Sequence, residues 1–255
     1  MFSYILFVLV PLKKRGNMMA QQKVALITGA SKGIGKAISI GLAELGYKVV
    51  LTGRNKNDLE KVAKEINNSQ SSTPVIFQLD ITDSKKIKET IKEIVNATGR
   101  IDVLVNNAGI FIDGSLSLSE ENFNALLHSN LTAQFVVLQD VVPVMKKQKS
   151  GYIFNIASRA GVIGFAGNAG YVASKFGMVG LSQSLYRELT PQGIKVTAIC
   201  PSWVNTRMAF EAGTPVEPEE MIQPEDIFQT IKWLLKLSPG ACIKEIVLDA
   251  PKSIL

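Results

Sequence analysis

The chain has few of the residues from which metal and disulfide sites are built. Its 255 residues include two cysteines and one histidine. Cys200 and Cys242 lie in apolar, strand-like runs, so we interpret each as a buried reduced thiol, consistent with the reducing environment of the cytoplasm. No cysteine or carboxylate cluster at ligand spacing accompanies His128. We therefore expect a structural histidine and no metal site.

An excess of charge of one sign is also missing. The net charge is +6, and Lys13, Lys14 and Arg15 supply half of it. No basic stripe with interleaved aromatic residues follows, so nucleic acid is not an expected partner. A slightly positive chain does suit an anionic ligand. Because 46% of the residues are hydrophobic and 20% are charged, the chain can bury a sizeable core and is not disordered.

No apolar run is long enough to span a bilayer, which takes roughly 20 residues as a helix. The most apolar stretch, M-F-S-Y-I-L-F-V-L-V-P-L, opens the chain and is followed by K-K-R. A secretory signal has its charges before the apolar core and a small-residue cleavage site after it, so this stretch does not match one. Two interpretations of residues 1–20 stay open: an extension outside the fold, translated upstream of a start at Met18 or Met19, or a weak anchor to a membrane surface. We favour the extension and do not expect membrane binding.

Residues 21–255 alternate short apolar runs with helical patterns. Seven runs are of strand type: V-A-L-I-T, K-V-V-L-T, P-V-I-F-Q-L, I-D-V-L-V, Y-I-F-N-I, K-V-T-A-I-C and I-K-E-I-V-L. Strands that alternate with helices indicate βαβ units, and continuously apolar strands indicate a parallel sheet covered on both faces. Neither a linker nor an internal repeat divides this part of the chain. We predict one α/β domain with a doubly wound, seven-stranded parallel sheet of Rossmann type, which places ligands beyond the carboxyl ends of the strands.

The first strand ends in T-G-A-S-K-G-I-G and leads directly into a helix. Gly29, Gly33 and Gly35 permit a tight turn, close approach of a pyrophosphate to the backbone, and close packing of the helix. The helix N-terminus then offers free N–H groups and a positive dipole to the anion. The spacing is G-x-x-x-G-x-G and not the more general G-x-G-x-x-G, so a plain turn remains the alternative. The place of the motif after the first strand favours phosphate binding.

A second motif begins with Ser158 after the fifth strand and continues with Tyr171 and Lys175 in Y-V-A-S-K. Residues 171 and 175 are i and i+4 on a helix, so their side chains lie on one face. Reduction of a carbonyl leaves negative charge on its oxygen, and a phenol could deliver the proton, although an unperturbed tyrosine has a pKa of about 10. A nearby lysine would lower that pKa, and Ser158 could donate a hydrogen bond to the same oxygen. Taken singly, each could be an ordinary structural residue; together they predict one acid/base device.

These motifs, with N-N-A-G at 106–109, resemble the short-chain dehydrogenase/reductase family from Lys23 to about Thr206. The resemblance implies a Rossmann-type oxidoreductase that interconverts a carbonyl and a secondary alcohol with a nicotinamide cofactor. It also implies that Lys175 holds the nicotinamide ribose, and that Asn130 steadies a water joining Lys175 to solvent; a bend in a helix is the alternative for Asn130. The implied catalytic set is Asn130, Ser158, Tyr171 and Lys175.

The same resemblance implies the cofactor contacts. Asp80, at the end of the third strand, would contact the adenine, although it could instead cap the next helix. The turn after the fourth strand would lie along the cofactor. The expected cofactor-binding residues are Gly29, Ser31, Lys32, Gly33, Ile34, Gly35, Arg54, Asp80, Ile81, Asn107, Ala108, Gly109, Tyr171, Lys175, Val204 and Thr206.

The residue after the second strand distinguishes NAD from NADP. An acid there accepts hydrogen bonds from the ribose 2′-OH, whereas a guanidinium can bind a 2′-phosphate. The strand ends L-T-G-R-N-K-N, so the position carries Arg54, and the first acid is Asp58 inside the next helix. Lys32 offers another cation on the same side. We predict preference for NADP(H) over NAD(H), with solvated surface charges as the alternative for both cations.

The substrate side departs from the family pattern. In C-P-S-W-V-N-T, Ser202 replaces the glycine of a common Pro-Gly pair, which puts the local backbone in doubt. Residues 207–221, rich in Pro and Glu, predict a small mobile lid. The chain lacks the Gly-Gly that follows the last strand in many fatty-acid-synthesis reductases. A 3-oxoacyl acyl-carrier-protein reductase therefore stays an alternative to a general carbonyl reductase, as does a catalytically silent, cofactor-binding regulator.

Two predicted helices, near Glu121–Gln148 and Tyr171–Thr190, carry apolar residues around much of their circumference. A helix packed on one side only should keep a wide polar face. In the family these helices pair across a two-fold axis. We therefore predict a homodimer or homotetramer that acts on a small-molecule carbonyl or alcohol.

Overall fold

A computed structural model describes residues 22–69 and 73–254, and the extension or anchor expected at residues 1–20 lies outside them. The described residues form one sheet of seven parallel strands. The strands are β1 (Val24–Thr28), β2 (Lys48–Gly53), β3 (Val75–Gln78), β4 (Val103–Asn106), β5 (Gly151–Ile156), β6 (Ile194–Pro201) and β7 (Glu245–Leu248). Their order across the sheet is β3-β2-β1-β4-β5-β6-β7, which confirms the predicted doubly wound sheet of Rossmann type.

Helices of the described residues cover both faces of the sheet. A π-helical turn, His128–Thr132, joins two of them, and short 3-10 turns occur at Arg159–Gly161, Thr190–Gln192, Pro218–Glu220 and Pro251–Ser253. The helices are α1 (Gly33–Glu44), α2 (Lys56–Ser69), α3 (Ser84–Thr98), α4 (Glu120–Leu127), α5 (Ala133–Gln148), α6 (Ala169–Leu189), α7 (Arg207–Glu211) and α8 (Pro224–Lys236).

Alternating strand residues build a core on each face of the sheet. Ala25 and Ile27 of β1 belong to a core shared with α1, α2 and α8. Val24 and Leu26 belong to the opposite core, shared with α3, α5 and α6. Full burial of a large aliphatic side chain contributes about 1.5–3 kcal/mol. The continuously apolar strands therefore hold the helices in place on both faces, and the strand ends become fixed supports for a site.

The chain reverses its direction of winding beside β1, which pairs with β2 on one side and with β4 on the other. At such a point a crevice forms beyond the carboxyl ends of the strands. This geometry places the residues that follow β1, β4 and β5 around one opening. Among residues 22–69 and 73–254, no helix combines the length and the apolar character that a membrane span needs.

Candidate active site

A cleft of about 1000 Å³ opens at this edge of the sheet. Its volume lies at the upper end of the usual range for ligand pockets, about 300–1000 Å³. Gly35 and Asn130 are buried beside the cleft and do not line it. The other predicted site residues all line it: Gly29, Ser31, Lys32, Gly33, Ile34, Arg54, Asp80, Ile81, Asn107, Ala108, Gly109, Ser158, Tyr171, Lys175, Val204 and Thr206.

The turn between β1 and α1 has a geometry that glycine adopts most readily. Gly29 and Gly33 have φ angles of +65° and +54°, in the left-handed region where a side chain is strained. A Cβ on Gly35 would collide with the carbonyl oxygen of Gly29 and with the side-chain amide of Asn107. Helix α1 therefore packs directly on the turn, and the concave surface exists because these positions carry no side chain.

The start of α1 faces this concave surface. Lys32 precedes the helix without capping it, and the first turn carries no acidic residue. Backbone N–H groups at an uncapped helix start, together with the helix dipole, favour an anion. Ser31 and Lys32 line the cleft at the same place. These features fit the pyrophosphate of a dinucleotide cofactor.

The turn after β4 is tied to the glycine-rich turn. The Thr28 hydroxyl accepts hydrogen bonds from the backbone N–H groups of Asn107, at 2.9 Å, and Ala108, at 3.1 Å. The Asn107 side chain donates back to the carbonyl oxygens of Thr28, at 2.9 Å, and Gly29, at 3.1 Å. The buried Gln134 of α5 donates to the carbonyl oxygen of Ala108. The motifs do not reveal Gln134; its polarity within the apolar run A-Q-F-V-V-L is the available signal.

Ser158, Tyr171 and Lys175 come together on the substrate side of the cleft. Ser158 begins a 3-10 turn after β5, where its Oγ accepts from the N–H of Ala160 at 3.1 Å. Lys175 Nζ lies 5.6 Å from the centroid of the Tyr171 ring, one helical turn away on α6. Nζ also donates to the carbonyl oxygen of Ile156 at 3.1 Å. The spatial grouping that the spacing predicts is therefore present.

Burial controls the titration of Tyr171 and Lys175. Burial raises the pKa of Tyr171 to about 12, and a hydrogen bond with Ser158 opposes the rise. The Phe111 ring contributes to this burial, because it packs edge-on against the Tyr171 ring with 5.2 Å between the two ring centroids. Burial also lowers the pKa of Lys175, which is 7% exposed, to about 8. The expectation that Lys175 would give Tyr171 a lowered pKa is therefore wrong for this structure, because desolvation is the larger effect.

Asn130 holds the loop after β4 against α6. It lies in the π-helical turn between α4 and α5 and is 2% exposed. Its side-chain oxygen accepts from the N–H of Ile110 at 2.8 Å, and its nitrogen donates to the Ile110 carbonyl and to Ser174 Oγ, both at 3.0 Å. Such π-turns inside helices are frequent at functional sites. Asn130 thus positions the residue next to Lys175, while its role toward a water stays a prediction.

Asp80 lines the far end of the cleft, where the resemblance places the adenine. Its Oδ1 accepts from the N–H of Thr82 at 2.9 Å and from Thr82 Oγ1 at 2.8 Å. The backbone bond from Thr82 is the main cause of a lowered pKa at Asp80. Helix α3 is capped by Asp83, whose Oδ1 accepts from the N–H of Lys86 at 2.9 Å. The alternative that Asp80 caps this helix is therefore wrong.

Arg54 lies where the cleft meets a shallower depression of about 370 Å³. Within the described part of the chain, its exposed guanidinium forms no salt bridge. The nearby Asp58 is paired with Lys61 at 2.9 Å. The depression is otherwise lined by polar side chains, namely Asn55, Lys56, Asn57 and Gln78. Asp80 lies close enough for the charge of Arg54 to help lower the pKa of its carboxyl, but the two form no salt bridge, so the guanidinium is available to an anion.

The replacement of glycine by Ser202 suggested a strained backbone, but the backbone at Ser202 is not strained. Of the described residues other than glycine, only Lys149 has a positive φ. Ser202 instead uses its side chain, whose Oγ accepts from the N–H of Ala250 at 2.8 Å. The substitution thereby attaches the loop after β6 to the C-terminal segment. No pattern in the sequence indicated that contact.

The segment expected as a lid borders the cleft through its first residues. Helix α7 supplies part of the lining, and Val216 and Met221 pack with Trp203 and Ala209 in a small apolar cluster. The segment thus has a core of its own. Its movement stays a prediction.

Both cysteines were expected to be buried reduced thiols. Cys200 and Cys242 are both free, as expected, but only Cys200 is buried. Cys242 is half-buried. In the described ranges, no group of three or more His, Cys, Asp and Glu side chains could hold a metal ion.

Known proteins resemble this chain over most of its length. The family described as short chain dehydrogenase matches residues 23–216. The 3-oxoacyl-acyl-carrier-protein reductase of Thermotoga maritima is 40% identical over 226 residues, which cover 85% of this chain and 92% of that protein. The enzyme of the same name from Staphylococcus aureus strain Mu50 is 37% identical over 227 residues, with the same two coverages of 85% and 92%.

Solved structures share the whole fold. A betaketoacyl-ACP reductase from Bacteroides thetaiotaomicron has a TM-score of 0.83 at 49% identity and covers 92% of this chain and 99% of its own. An actinorhodin polyketide ketoreductase with NADPH has a TM-score of 0.81 at 31% identity, covering 89% and 95%. An alcohol dehydrogenase from Thermococcus sibiricus, complexed with 5-hydroxy-NADP, has a TM-score of 0.83 at 30% identity, covering 90% and 97%.

Proposed function

This chain belongs to the short-chain dehydrogenase/reductase family and interconverts a carbonyl and a secondary alcohol, and we propose that Tyr171 is its acid/base and NADP(H) its preferred cofactor. One observation carries the proposal. Ser158, Tyr171 and Lys175 line the same cleft as the glycine-rich turn and the uncapped start of α1. A regulator that only bound a cofactor would need the turn but not a proton donor beside Ser158.

In carbonyl reduction, the Tyr171 hydroxyl would donate its proton to the carbonyl oxygen while Ser158 Oγ donates a hydrogen bond to the same oxygen. A bound nicotinamide would supply the hydride. With a pKa of about 12, Tyr171 is protonated at neutral pH and available as an acid. Lys175, with a pKa of about 8, is still mostly protonated at pH 7 and can stabilise the phenolate that remains. Because a pKa of about 12 makes Tyr171 a weak acid, stabilisation of the phenolate by the Lys175 ammonium is what would assist the proton transfer.

The preference for NADP(H) is supported by the charges at the end of β2. Arg54 lines the cleft where a ribose 2′-phosphate would reach the strand end, and Lys32 lines it from the glycine-rich turn. Asp58, the first acid of α2, is paired with Lys61. A guanidinium binds phosphate through charge-assisted, paired hydrogen bonds. The neighbours that are complexed with NADPH or an NADP derivative add support.

The names of the relatives point to a substrate class. The reductases of Thermotoga maritima, Staphylococcus aureus and Bacteroides thetaiotaomicron act, by name, on 3-oxoacyl or betaketoacyl groups carried by an acyl carrier protein. This chain covers 92% to 99% of those proteins. We propose 3-oxoacyl thioesters as its first candidate substrates. The missing Gly-Gly after the last strand keeps a general carbonyl reductase as the second candidate.

Oxidation of NADPH against a panel of substrates tests the function. The panel contains 3-oxoacyl thioesters on a small thiol, the same acyl groups on an acyl carrier protein, simple ketones and quinones. Turnover of the thioesters above the ketones supports the 3-oxoacyl substrate. Turnover of ketones alone supports the general reductase. Tight NADPH binding without turnover on any member would contradict both and favour a regulator.

We further propose that two helices carry an assembly interface. Most apolar residues of α5 are buried within the protomer, whereas most apolar residues of α6 are partly or fully exposed. Phe135 on α5 and Phe176 on α6 remain 43% and 44% exposed. Gly177 of α6 lies against Leu131, one turn before Phe135. The two rings therefore lie near the same helix crossing, where a second copy would cover them.

A further inference from the structure

The end of the chain is bound to the turn that carries Ser158. Arg159 donates from Nη1 to Asp249 Oδ1 at 2.9 Å, to the Ser253 carbonyl at 2.9 Å and to Ser253 Oγ at 3.0 Å. Its guanidinium also lies 5.2 Å from the centroid of the Phe165 ring. Ser158, Arg159 and Phe165 all line the cleft. Arg159 thus connects the substrate-side wall to a segment 90 residues away in sequence.

Ser202 makes a second attachment of the same segment. Its Oγ accepts from the N–H of Ala250 at 2.8 Å and from Ser253 Oγ at 3.2 Å. Ser202 directly follows Pro201, whose carbonyl oxygen lies 3.5 Å from Ser158 Oγ. A glycine at residue 202 could not make the two contacts of Oγ. Both attachments therefore converge on the loops beside Ser158.

In the ion pair at the centre of this arrangement, Arg159 is largely withdrawn from water and Asp249 is more exposed. The Arg159 side chain is 12% exposed and that of Asp249 is 30% exposed. Arg159 Nε is buried and has no hydrogen-bond partner within the described residues, so the contacts of Nη1 set the orientation of the guanidinium. A buried charge that loses its partner moves toward water or disturbs its neighbours. Removal of either partner should therefore shift Phe165 and the turn of Ser158.

We propose that Arg159 is a positioning residue, and that the C-terminal clasp (Asp249, Ala250 and Ser253 bound to Arg159 and Ser202) fixes the Ser158 hydroxyl for the reaction. Arg159 acts through Ser158 and Phe165 and touches no reacting atom. The inference rests on the proposed function, because it assigns the clasp a task in carbonyl reduction. The clasp holds no part of the glycine-rich turn, so cofactor binding should be independent of it.

The test compares Arg159→Met and Asp249→Asn with the unmodified protein, using NADPH and the panel substrate with the highest turnover. We expect kcat/KM to fall by about 10²-fold, chiefly through kcat, since small displacements of a positioned group have effects of that size. The Kd for NADPH should be unchanged. The double variant should lose no more than Arg159→Met alone, because that variant already removes the contact with Asp249. Arg159→Lys should recover part of the activity, since a single nitrogen makes all three hydrogen bonds.

Lys252→Ala is the matched control, because Lys252 belongs to the same segment but pairs at 3.7 Å with Glu220 in an exposed position. It should leave kcat/KM unchanged. Normal kcat/KM in Arg159→Met, with only a lower thermal midpoint, would show a purely structural contact and overturn the inference. A parallel loss of NADPH affinity would overturn it as well.

Two further measurements test the clasp: the kinetics of Ser202→Gly and a crystal structure of Arg159→Met. If Arg159→Met does not fold, Ser202→Gly removes the second attachment, and undiminished kcat in that variant would overturn the proposal. If the unmodified protein turns over nothing, the proposed function fails separately. A crystal structure of Arg159→Met then decides: unshifted Ser158 and Phe165 side chains overturn the clasp, and displaced ones support it.

Discussion

Replacement of Lys175 by methionine should stabilise the protein at neutral pH while it stops turnover. Lys175 is 7% exposed, and Nζ donates to the carbonyl oxygen of Ile156. Within the described residues no carboxylate forms a salt bridge with it. Methionine has a similar length without the charge. The variant therefore removes a desolvated ammonium and little packing.

The sign and size of the expected change in stability follow from the lowered pKa of Lys175. Folding lowers the pKa of Lys175 from 10.5 to about 8, so the folded state binds this proton less tightly than the unfolded chain. At pH 7 both states are protonated and the native state carries the full penalty, about 3 kcal/mol for this difference in pKa. Between pH 8 and 10.5 only the unfolded chain is protonated, so the stability of the unmodified protein rises with pH. Above pH 10.5 Lys175 is deprotonated in both states, so it no longer destabilises the folded protein.

Methionine also leaves the Ile156 carbonyl without its donor, which costs about 1–2 kcal/mol. We therefore expect a net gain of about 1–2 kcal/mol at pH 7, which raises the thermal midpoint of a chain of this size by about 2–8 °C. The advantage should shrink between pH 8 and 10.5 and become a small disadvantage beyond it.

The assay measures urea unfolding of Lys175→Met and of the unmodified protein from pH 7 to 10.5, with NADPH turnover alongside. Lys92→Met serves as control, because Lys92 is an exposed lysine of α3. It should change neither stability nor its pH dependence. A Lys175→Met variant that is less stable at pH 7, or equally stabilised at pH 7 and 10.5, would refute the reasoning.

Three further predictions concern the proton donor, the cofactor and the assembly. Tyr171→Phe removes one hydroxyl and should lower kcat by roughly 10² or more with little change in NADPH affinity; near-normal kcat would exclude Tyr171 as the donor. Arg54→Asp should weaken NADPH relative to NADH by about 2–4 kcal/mol, through a lost and then inverted charge contact. Similar kcat/KM values for NADPH and NADH in the unmodified protein would contradict that assignment. Light scattering at micromolar concentration should give the mass of a dimer or tetramer, and Phe135→Glu on α5 should lower it; a monomeric mass for the unmodified protein would refute the interface.

The fold could be predicted from the sequence because its cause is local and repeated. Each strand is a short apolar run and helical patterns separate the runs, so the alternation alone specifies a parallel sheet covered on both faces. Parallel crossovers are almost always right-handed, which leaves few ways to order the strands. The glycine-rich turn could also be predicted from local sequence. Gly29 and Gly33 have backbone angles that other residues rarely adopt, and Gly35 has no room for a side chain.

The parts that could not be predicted depend on contacts between distant segments. The pKa of Tyr171 is set by burial among residues such as Phe111, which comes from the loop after β4. The spacing of Tyr171 and Lys175 showed that they are neighbours but not how dry their surroundings are. Arg159 and Asp249 are ordinary charged residues until the fold brings them together. The sequence identifies Ser202 as a departure from the family pattern, but it gives no indication of the contact between Ser202 and Ala250.

Lys175 shows why stability and function have to be argued separately at this site. A buried lysine with a lowered pKa and no salt bridge among the described residues makes the fold less stable. An apolar residue would suit the same place on α6 better, since Met178 and Val179 of that helix are buried nearby. A local conflict of this kind between the residue and its buried position is expected where chemistry requires it. The cost at Lys175 is therefore expected if the residue serves the proposed chemistry and cofactor binding, since folding alone would favour an apolar residue there.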